Sequence, residues 1–430
     1  LLIAANPDEE KNVWIKPNLS EVLQPENSYQ VSVLFGEMPE EMGEVVWSGK
    51  HLSRRKWLIK RDKTSRGGLL VLKIKEIQNG QEASMKEYMN SYERCLAAIQ
   101  FRDVDRMPTD LHNFLMCAEE SGMDFGAFVL DDSAMAEMQI NMWEKFGHDM
   151  LLIENGTAAL AQALGCGVIY RKKGAPVAHT TAVKQLEDIR NLKMPADFWE
   201  SPLLKAQILT VERLVQHFGR EVFLIGRGDQ GPFSLASQLY GMDRLLEDLM
   251  DEEAEEDVHR LLEFCTSACI AYHEKLLQLG VPMTSMGDST AGPDVISPAM
   301  YKTFAVPYEK KVIEAVHRKG GLISLHICGN ATKIIDQMCN LGADVLEIDQ
   351  KTDLKTAVRA AKENCALLGQ VNPVLLSNGT QQEVKETAER ILQIVGGKST
   401  TGFILGPGCA LGGDTPKENI QALIDSVKFR

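Results

Sequence analysis

The sequence predicts an α/β protein, a (β/α)8 barrel of the TIM type, preceded by a small β-rich appendage. From about residue 83 onward, short apolar segments alternate with helical segments, and at least six such units fit into residues 221–430. Alternation at this spacing indicates parallel strands joined by helical crossovers. So many units in one domain favour a closed barrel, and an open, helix-covered sheet is the alternative. We therefore assign residues 1–82 to the appendage and residues 83–430 to the barrel.

Residues 1–82 differ from the rest of the chain in composition and in the length of their apolar segments. Segments such as "YQVSVLF", "EVVWSGKHL" and "GGLLVLKIKEIQNG" are short and rich in β-branched residues, and turn-forming or charged residues separate them. This pattern is typical of short strands joined by turns. No catalytic or ligand-binding pattern is legible in the appendage, so its role is left open.

The barrel segment carries predicted strands and helices along its length. The strands are predicted in "DMLLIEN" (149–155), "EVFLIGRGDQGPF" (221–233), "GVPMTSMGDSTAG" (280–292), "GGLISLHICGN", "ADVLEIDQ", "CALLGQVNP" and "GFILGPGCALGG". The helices are predicted at residues 84–101, 297–319, 331–341, 353–364, 381–396 and 416–428. For the last helix, Thr415 is the predicted N-cap and Pro416 the first helical residue.

Composition excludes several classes of function. The net charge of −14 argues against a nucleic-acid surface, which needs clustered lysine and arginine. No apolar run reaches the ~18–20 residues of a membrane span, and no secretory leader opens the sequence. Nine cysteines without a framework spacing indicate reduced thiols. We therefore expect a cytoplasmic protein that contacts neither nucleic acid nor membrane.

The segment "LISLHICGN" (322–330) places a histidine and a cysteine at the end of a buried strand. In a strand, residues i and i+2 share a face, so His326 and Cys328 point the same way. Cys409 lies in "LGPGCALGG", at the end of another strand, and the strand ends of a barrel converge at one mouth. Two thiolates and an imidazole suit zinc with one position left open. On these residues alone, a zinc site and unrelated buried side chains remain equal alternatives.

Other polar residues also fall at predicted strand ends, where a barrel binds its substrate. The predicted substrate-binding residues are Asp229, Asn330, Asp349 and Gln370. A second cluster, Cys265, Cys269 and His273, has helical spacing, but alanine, isoleucine and leucine surround it. For that cluster a packed helix face is favoured over a metal site.

Several segments resemble a known family. These are "RGDQGPFSLASQLYG", "GDSTAGPDVISPAMYKTFAVPYEKKVIEAVHRKGG", "LHICGN", "GQVNP" and "LGPGCALGGDTPKENIQALIDSV". Over residues 83–430 the chain resembles the uroporphyrinogen decarboxylase superfamily, more narrowly its corrinoid-dependent methyltransferase branch. The decarboxylases carry an Arg-Gln-Ala-Gly-Arg stretch near the start of the barrel; here the region reads "RDVDRMPTDLHNFLM", where Arg106 remains but the stretch is absent. The methyltransferases carry His-x-Cys and a distant Cys as zinc ligands, which correspond to His326, Cys328 and Cys409.

The resemblance implies a zinc-dependent methyltransferase with one Zn2+ per chain. It would move a methyl group between a small methyl donor or thiol acceptor and the cobalt of a corrinoid, in either direction. Glu347 and Asp288 are the predicted fourth ligand or polar catalytic group. Corrinoid carriers use Asp-x-His-x-x-Gly, and the nearest segment, "AVHRKG", has Ala315 in place of the aspartate, so we expect a partner corrinoid protein.

Three further expectations belong to this reading. A homodimer is expected from the resemblance. The rival enzymatic function is porphyrinogen decarboxylation, as in uroporphyrinogen decarboxylase. The rival non-enzymatic function is a binding module whose zinc is structural, which a fourth protein ligand would favour.

Overall fold

The computed structural model describes residues 87–362 and 364–429, together with the backbone of six strands within residues 1–86. The chain divides into two compact units, residues 1–86 with 429–430, and residues 87–428. The predicted boundary between residues 82 and 83 lies outside the described residues.

The first unit is built from short antiparallel strands. They are β1 (Leu2–Ala4), β2 (Val13–Ile15), β3 (Ser28–Gly36), β4 (Gly43–Gly49), β5 (Trp57–Ile59) and β6 (Leu69–Ile77). One sheet has the order β1-β6-β3-β4, and β2 pairs with β5. These strands agree with the β-rich segment expected from the sequence.

The second unit is the predicted barrel. Its strands are β7 (Asp110–Leu111), β8 (Met150–Ile153), β11 (Phe223–Gln230), β12 (Met283–Gly287), β13 (Leu322–Ile327), β14 (Val345–Ile348), β15 (Ala366–Val371) and β16 (Phe403–Pro407). They pair in parallel in that order. Thr109, just before β7, bridges in parallel to Leu405 of β16, and the Leu405 amide donates to the carbonyl of Pro108 at 3.0 Å. This contact closes the ring, so the predicted barrel is confirmed.

Two short strands stand apart from the ring. They are β9 (Gly167–Ile169) and β10 (Val177–Thr180), which form an antiparallel pair.

Helices surround the ring. They are α1 (Ser91–Ile99), α2 (Phe114–Ser121), α3 (Phe125–Phe128), α4 (Asp132–Phe146), α5 (Ala159–Ala163), α6 (Pro202–Phe218), α7 (Pro232–Tyr240), α8 (Met242–Asp248), α9 (Glu255–Gln278), α10 (Pro298–Phe304), α11 (Val306–Arg318), α12 (Ile335–Cys339), α13 (Leu354–Ala361), α14 (Pro373–Asn378), α15 (Gln381–Val395) and α16 (Lys417–Ser426). Single 3-10 turns occur at Leu186–Asn191, Phe198–Glu200 and Ala331–Lys333. Within the described residues, none of these helices is both long enough and apolar enough to cross a membrane.

The first predicted helix is shorter than expected. It begins at Ser91 rather than in the 84–86 region, because Asn90 accepts from the amide of Glu93 while the Glu93 side chain accepts from the amide of Asn90. This reciprocal capping fixes the start of α1.

The last predicted helix begins later than expected. Thr415 is not its N-cap: the Thr415 hydroxyl donates to the carbonyl of Gly412 at 2.8 Å, and α16 begins at Lys417 after Pro416. The predicted helix at 297–319 is two helices with a break at Ala305.

Every second side chain along the strands points into the barrel, and these inward side chains form a lower and an upper layer in the lumen. Helix α1 covers the amino-terminal end of the ring, where its side chains pack on the inward residues of the strands. This lower layer consists of Cys95, Ile99, Met150, Leu152, Phe223, Ile225, Met283, Val345, Ala366, Leu368 and Ile404. The next inward positions toward the carboxyl ends are polar, among them Arg227, Ser285 and Glu347. The lower layer is therefore packed core, and the polar side chains of the lumen lie toward the mouth.

Candidate metal site at the barrel mouth

His326 is the second-last residue of strand β13 and is held in one orientation. Its ring is buried, and Nδ1 lies 3.0 Å from the backbone carbonyl oxygen of Glu347 on the neighbouring strand. A carbonyl can only accept, so Nδ1 carries the proton and donates. In the neutral ring this leaves the lone pair on Nε2, the atom that can bind a metal. A backbone carbonyl behind the ring is the usual support of a metal-binding histidine.

Cys328 and Cys409 bring their sulfurs to this ring. Cys328 follows β13 and Cys409 follows β16, and the three ligand atoms all lie within 4.8 Å of one another. The His326 Nε2 atom is 3.2 Å from the Cys328 Sγ. Gly408 lets the loop before Cys409 pass close to its neighbour, because a Cβ there would sit 2.6 Å from the backbone nitrogen of Gln350. A nitrogen and two sulfurs at this spacing form a donor set that suits zinc.

Electrostatics in the group favour a thiolate at Cys328. A hydrogen bond from the Cys409 thiol and the charge of His326 lower the pKa of Cys328 to about 3 although burial opposes the shift. Burial lowers the pKa of His326, but the neighbouring Cys328 thiolate outweighs it and raises that pKa to about 9. The same hydrogen bond raises the pKa of Cys409. Of the two thiols, Cys328 is therefore the one that ionises more easily.

A second polar group crosses the lumen beside the metal ligands. Arg227 on β11 donates from Nη1 to the Ser285 hydroxyl at 2.7 Å and lies 3.5 Å from Glu347 on β14. The hydroxyls of Ser285 and Ser324 donate to Glu347 Oε1 at 2.7 and 2.5 Å. Since two strands separate β11 from β14, the Arg227–Glu347 contact runs through the lumen. Burial raises the pKa of Glu347, but Arg227 and His326 outweigh it and lower that pKa.

His112 and Glu154 extend this group. They are the first residues after β7 and β8, and His112 Nε2 lies 2.7 Å from Glu154 Oε2. Arg227 Nε is 3.8 Å from the same oxygen. Our sequence reading omitted Arg227, His112 and Glu154. The position of His112 and Glu154 directly after strands was the available signal.

Two aspartates on this side of the barrel are incompletely paired. Asp229 accepts from the amide of Leu160 at 2.6 Å through Oδ2, while its Oδ1 is buried without a hydrogen-bond partner among the described residues. Asp110 likewise has a buried, unpartnered Oδ1. Burial raises the pKa of both carboxyls to about 7. The structure thus places the predicted residue Asp229 near the carboxyl end of β11. Asp110, which the sequence reading missed, lies lower, because the strand register sets it opposite Met150.

The predicted residue Asp288 is occupied elsewhere. Its carboxylate accepts from the amides of Phe233 and Ser234 at 3.2 and 2.7 Å, at the start of α7. Burial raises its pKa. Neither Asp288 nor Glu347 contributes an atom to the three-residue group found among the described residues, so their role as fourth ligand stays a prediction.

The remaining predicted residues support the loops around the metal ligands. Asp349 accepts from the amide of Gly329, next to Cys328, at 2.9 Å. Gln370 donates from Nε2 to the carbonyl of Asp349 at 3.2 Å. Asn330 is exposed and accepts from the amide of Thr332 at 3.1 Å. Their predicted contact with substrate remains a prediction, and their contacts within the protein position the loops.

The helical cluster of Cys265, Cys269 and His273 is core. All three are fully buried, and burial raises the pKa of both thiols far above the ordinary value. His273 Nδ1 lies 2.8 Å from the hydroxyl of Thr284. These contacts agree with the packed helix face favoured from the sequence.

The geometry has a counterpart in known proteins. Residues 90–429 match the uroporphyrinogen decarboxylase (URO-D) family. The chain belongs to this family. The resemblance predicted from the sequence is therefore confirmed.

The chain is similar both to methyltransferases and to decarboxylases. The methylcobamide:CoM methyltransferase MtbA of Methanosarcina acetivorans is 30% identical over 350 residues, which are 80% of this chain and 99% of the relative. MtaA of Methanosarcina barkeri, of the same activity, is 25% identical over 77% of this chain and 95% of the relative. The uroporphyrinogen decarboxylase of Coxiella burnetii is 27% identical over 71% of this chain and 84% of the relative.

A solved URO-D-like fold supports the architecture. The methyltransferase from Methanosarcina mazei superposes with a TM-score of 0.72 at 22% identity and covers 79% of this chain and 98% of that protein. At this identity the match establishes the barrel fold.

Proposed function

We propose that the protein is a zinc-dependent methyltransferase. It moves a methyl group between the cobalt of a corrinoid carried by a partner protein and a small methyl donor or thiol acceptor. The observation that supports this most is the convergence of His326 Nε2, Cys328 Sγ and Cys409 Sγ within 4.8 Å at the barrel mouth. The named activity of the MtbA and MtaA relatives supports the same reaction class.

The residues fit one zinc ion per chain. Two thiolates balance its charge, the imidazole is neutral, and three protein ligands leave a position for substrate, as in catalytic sites. A zinc ion bound there would lower the pKa of an incoming thiol and keep its sulfur nucleophilic at neutral pH. Fourth-ligand roles for Glu347 or Asp288 remain part of the proposal.

The chain's own residues prepare this site. The Glu347 carbonyl fixes the His326 tautomer, so that Nε2 needs no reorientation when the metal binds. Asp349 holds the amide of Gly329 and thereby the turn that follows Cys328. The Ser289 side chain also hydrogen-bonds to Cys328 and favours the thiolate. The ligands are thus held in place by neighbours that do not themselves need to move.

A separate protein supplies the corrinoid in this proposal. The segment nearest to a cobalt-binding motif contains His317, at the end of α11, and that ring lies 2.9 Å from Asp344. Its preceding Ala315 cannot replace the motif's aspartate. The relatives' name specifies a methylcobamide and CoM, which supports a corrinoid partner and a thiol acceptor.

Porphyrinogen decarboxylation is the weaker candidate. Arg106, the one residue retained from the carboxylate-binding region, is buried at the amino-terminal end of β8, where Nη1 lies 2.6 Å from Asp149. Arg227 in the lumen already lies beside Glu154 and Glu347. At the inward strand positions of the described barrel, a substrate with several carboxylates therefore meets acids beside the already paired Arg227.

A structural-zinc binding module is also less well supported. A closed structural site needs four protein ligands, and the group found among the described residues has three. Free cysteine thiols fit a reducing compartment, so a cytoplasmic location is part of the proposal. Homodimer formation stays a prediction.

The test measures methyl transfer from methylcobalamin to small thiols, followed by the absorbance of the cobalamin. Zinc-loaded wild-type protein should demethylate methylcobalamin with a thiol present, and Cys409→Ser should lose at least about 100-fold. The matched control is Cys339→Ser, because Cys339 also hydrogen-bonds to a second cysteine, Cys365, but has no histidine beside it. Its rate should stay within about twofold.

Two outcomes would contradict the proposed function. One is an equal rate for wild type and Cys409→Ser. The other is coproporphyrinogen formation from uroporphyrinogen at a rate that chelators do not change, which would favour the decarboxylase.

A further inference from the structure

The hairpin formed by β9 and β10 lies at the mouth end of the barrel. Strand β8 ends at Ile153, and α6 runs from Pro202 back to the start of β11, so residues 154–201 lie at the carboxyl end of the ring. A Cβ at Gly156 would lie 3.0 Å from the Cδ of Pro176, so the hairpin packs on the loop that follows β8. The connection between β9 and β10 therefore lies at the rim of the mouth.

This connection carries positive charge without acidic partners. We define the basic loop as residues 170–176, which contain Arg171, Lys172 and Lys173. All three side chains are exposed, and none forms an ion pair with a described acidic residue. Residues 155–186 contain no aspartate or glutamate, although the whole chain has 60 of them and a net charge of −14. The basic loop is thus a local concentration of positive charge on an acidic chain.

The backbone of the basic loop is held in place. The amide of Phe125 donates to the carbonyl of Lys172 at 2.9 Å. The side-chain amide of Gln162 donates to the hydroxyl of Tyr170 at 2.6 Å. Since these hydrogen bonds use the backbone and a tyrosine, the three cationic side chains stay available for a partner while their attachment points are fixed.

Two large apolar side chains flank the basic loop. Ile169, the last residue of β9, is 43% exposed, and Met123, two residues before Phe125, is 37% exposed. Apolar side chains with charged residues around them are typical of a surface that binds another protein.

The charge of the rest of the chain favours a protein as the partner. A membrane or a polynucleotide presents negative charge over an area much larger than one loop, so it would also meet the acidic remainder of this chain. An acidic patch on a folded protein is small enough to face the basic loop alone.

We propose that the basic loop docks an acidic surface of the protein that carries the corrinoid. The identity of this partner rests on the proposed function. Attraction between the loop and the acidic surface steers the partner to the rim and orients it there, so that its cofactor faces the mouth. The loop thus acts on the encounter of the two proteins and not on the chemistry at the metal.

A fluorescein-labelled decaglutamate peptide serves as the probe for an acidic surface. Fluorescence anisotropy measures its Kd for the zinc-loaded full chain at about 20 mM salt, where charges on the surface are weakly screened. Wild type should bind the peptide, and Lys172→Glu/Lys173→Glu should bind it at least about 10-fold more weakly. The wild-type Kd should rise when the salt is raised to about 150 mM.

Two further variants control for net charge and for structure. Arg318→Glu/Lys319→Glu makes the same change of charge at the end of α11, at the amino-terminal end of the barrel, and should leave the Kd within about twofold. Lys172→Arg/Lys173→Arg keeps the charge in the basic loop and should also retain wild-type affinity, which a purely structural effect of the two lysines does not predict.

Other results would overturn the proposal. Equal weakening by the two glutamate variants would assign the binding to net charge rather than to the basic loop. Binding to phosphatidylserine vesicles that is tighter than binding to the peptide, and that is lost in Lys172→Glu/Lys173→Glu, would make a membrane the partner. A dimer in wild type that sediments as a monomer in the same variant would make a second copy of the chain the occupant.

Methyl transfer from free methylcobalamin, measured on wild type in parallel, separates this proposal from the proposed function. Peptide binding at the basic loop without methyl transfer to any thiol would contradict the proposed function and keep the docking surface. Methyl transfer without peptide binding would keep the proposed function and remove the docking surface.

Discussion

The two ends of the barrel each bury a charged cluster, and the clusters differ in balance. At the amino-terminal end, Asp149 accepts from Arg94 and Arg106 at 2.6 Å each, and Arg94 also pairs with Asp105 at 2.6 Å. Two arginines thus face two aspartates. Toward the mouth, Arg227 and His112 lie beside Glu154 and Glu347, and Asp229 adds a carboxyl without an ion pair among the described residues.

The number of cations near each carboxyl group determines the direction in which its pKa is shifted. Burial raises the pKa of Asp149, but Arg106 and Arg94 outweigh it and lower that pKa. At Asp110 burial outweighs the opposing charge of His112, and the pKa rises to about 7. Asp149 is therefore a fixed negative charge, whereas one carboxyl oxygen of Asp110 has no hydrogen-bond partner among the described residues. The balanced cluster maintains the fold, whereas the carboxyls of the second cluster are incompletely paired.

The largest effect on stability is expected from a substitution that breaks the balanced cluster at the amino-terminal end of the barrel. Asp149→Ala leaves two buried arginines without their shared carboxylate and should lower the free energy of unfolding by about 3–5 kcal/mol. Urea unfolding measures this. The control is Asp257→Ala, whose partner Arg190 is 59% exposed, with an expected loss of about 0–1 kcal/mol. Equal losses of unfolding free energy in the two variants would contradict the difference between the buried and the exposed ion pair. The zinc content per folded chain should be the same in Asp149→Ala as in wild type.

An intermediate effect on stability is expected at Ser285, which hydrogen-bonds to both Glu347 and Arg227. Ser285→Ala removes a donor to Glu347 and the acceptor of Arg227, both charged, so the loss should be about 1–3 kcal/mol. Ser237→Ala removes one neutral hydrogen bond, to the Ser234 carbonyl at 2.7 Å, and should cost about 1 kcal/mol. Urea unfolding compares them, and a smaller loss for Ser285→Ala would contradict the assigned network.

The smallest effect is expected at Asp110, and its size depends on pH. A folded-state pKa of about 7, above the ordinary 3.8, means that the native state holds the extra proton. This contribution to stability is complete below about pH 4 and is lost as the pH rises through about 7. Asp110→Asn should therefore be stabilising by up to about 1 kcal/mol at pH 8.5 and less so at pH 5. Urea unfolding of metal-free protein at both pH values checks this; a destabilised variant at pH 8.5 would contradict it.

The convergence of His326, Cys328 and Cys409 could be predicted from the sequence because the signal of each residue is local. Strand periodicity puts His326 and Cys328 on one face, and the glycines around Cys409 mark a strand end. Asp288 and Asp349 were also correctly placed at strand ends. Their hydrogen bonds to amides of neighbouring loops depend on packing, which the spacing of residues does not specify.

The polar residues inside the barrel were predicted only in part. Asp229 was identified, whereas Arg227, two residues earlier, was not, because its importance comes from Glu347 across the lumen. His112 and Glu154 follow strands of two and four residues, and strands this short carry little periodicity. The start of α1 depended on the mutual capping of Asn90 and Glu93, which a reading of helical periodicity overlooks.

The central claim is the metal site, and metal content tests it most directly. Wild type, Cys328→Ala and Cys339→Ala are purified without added zinc and analysed by elemental mass spectrometry. The account predicts about one zinc per chain in wild type and in Cys339→Ala, and a loss of most of it in Cys328→Ala. Equal zinc in Cys328→Ala and wild type, or none in any of the three, would contradict the site.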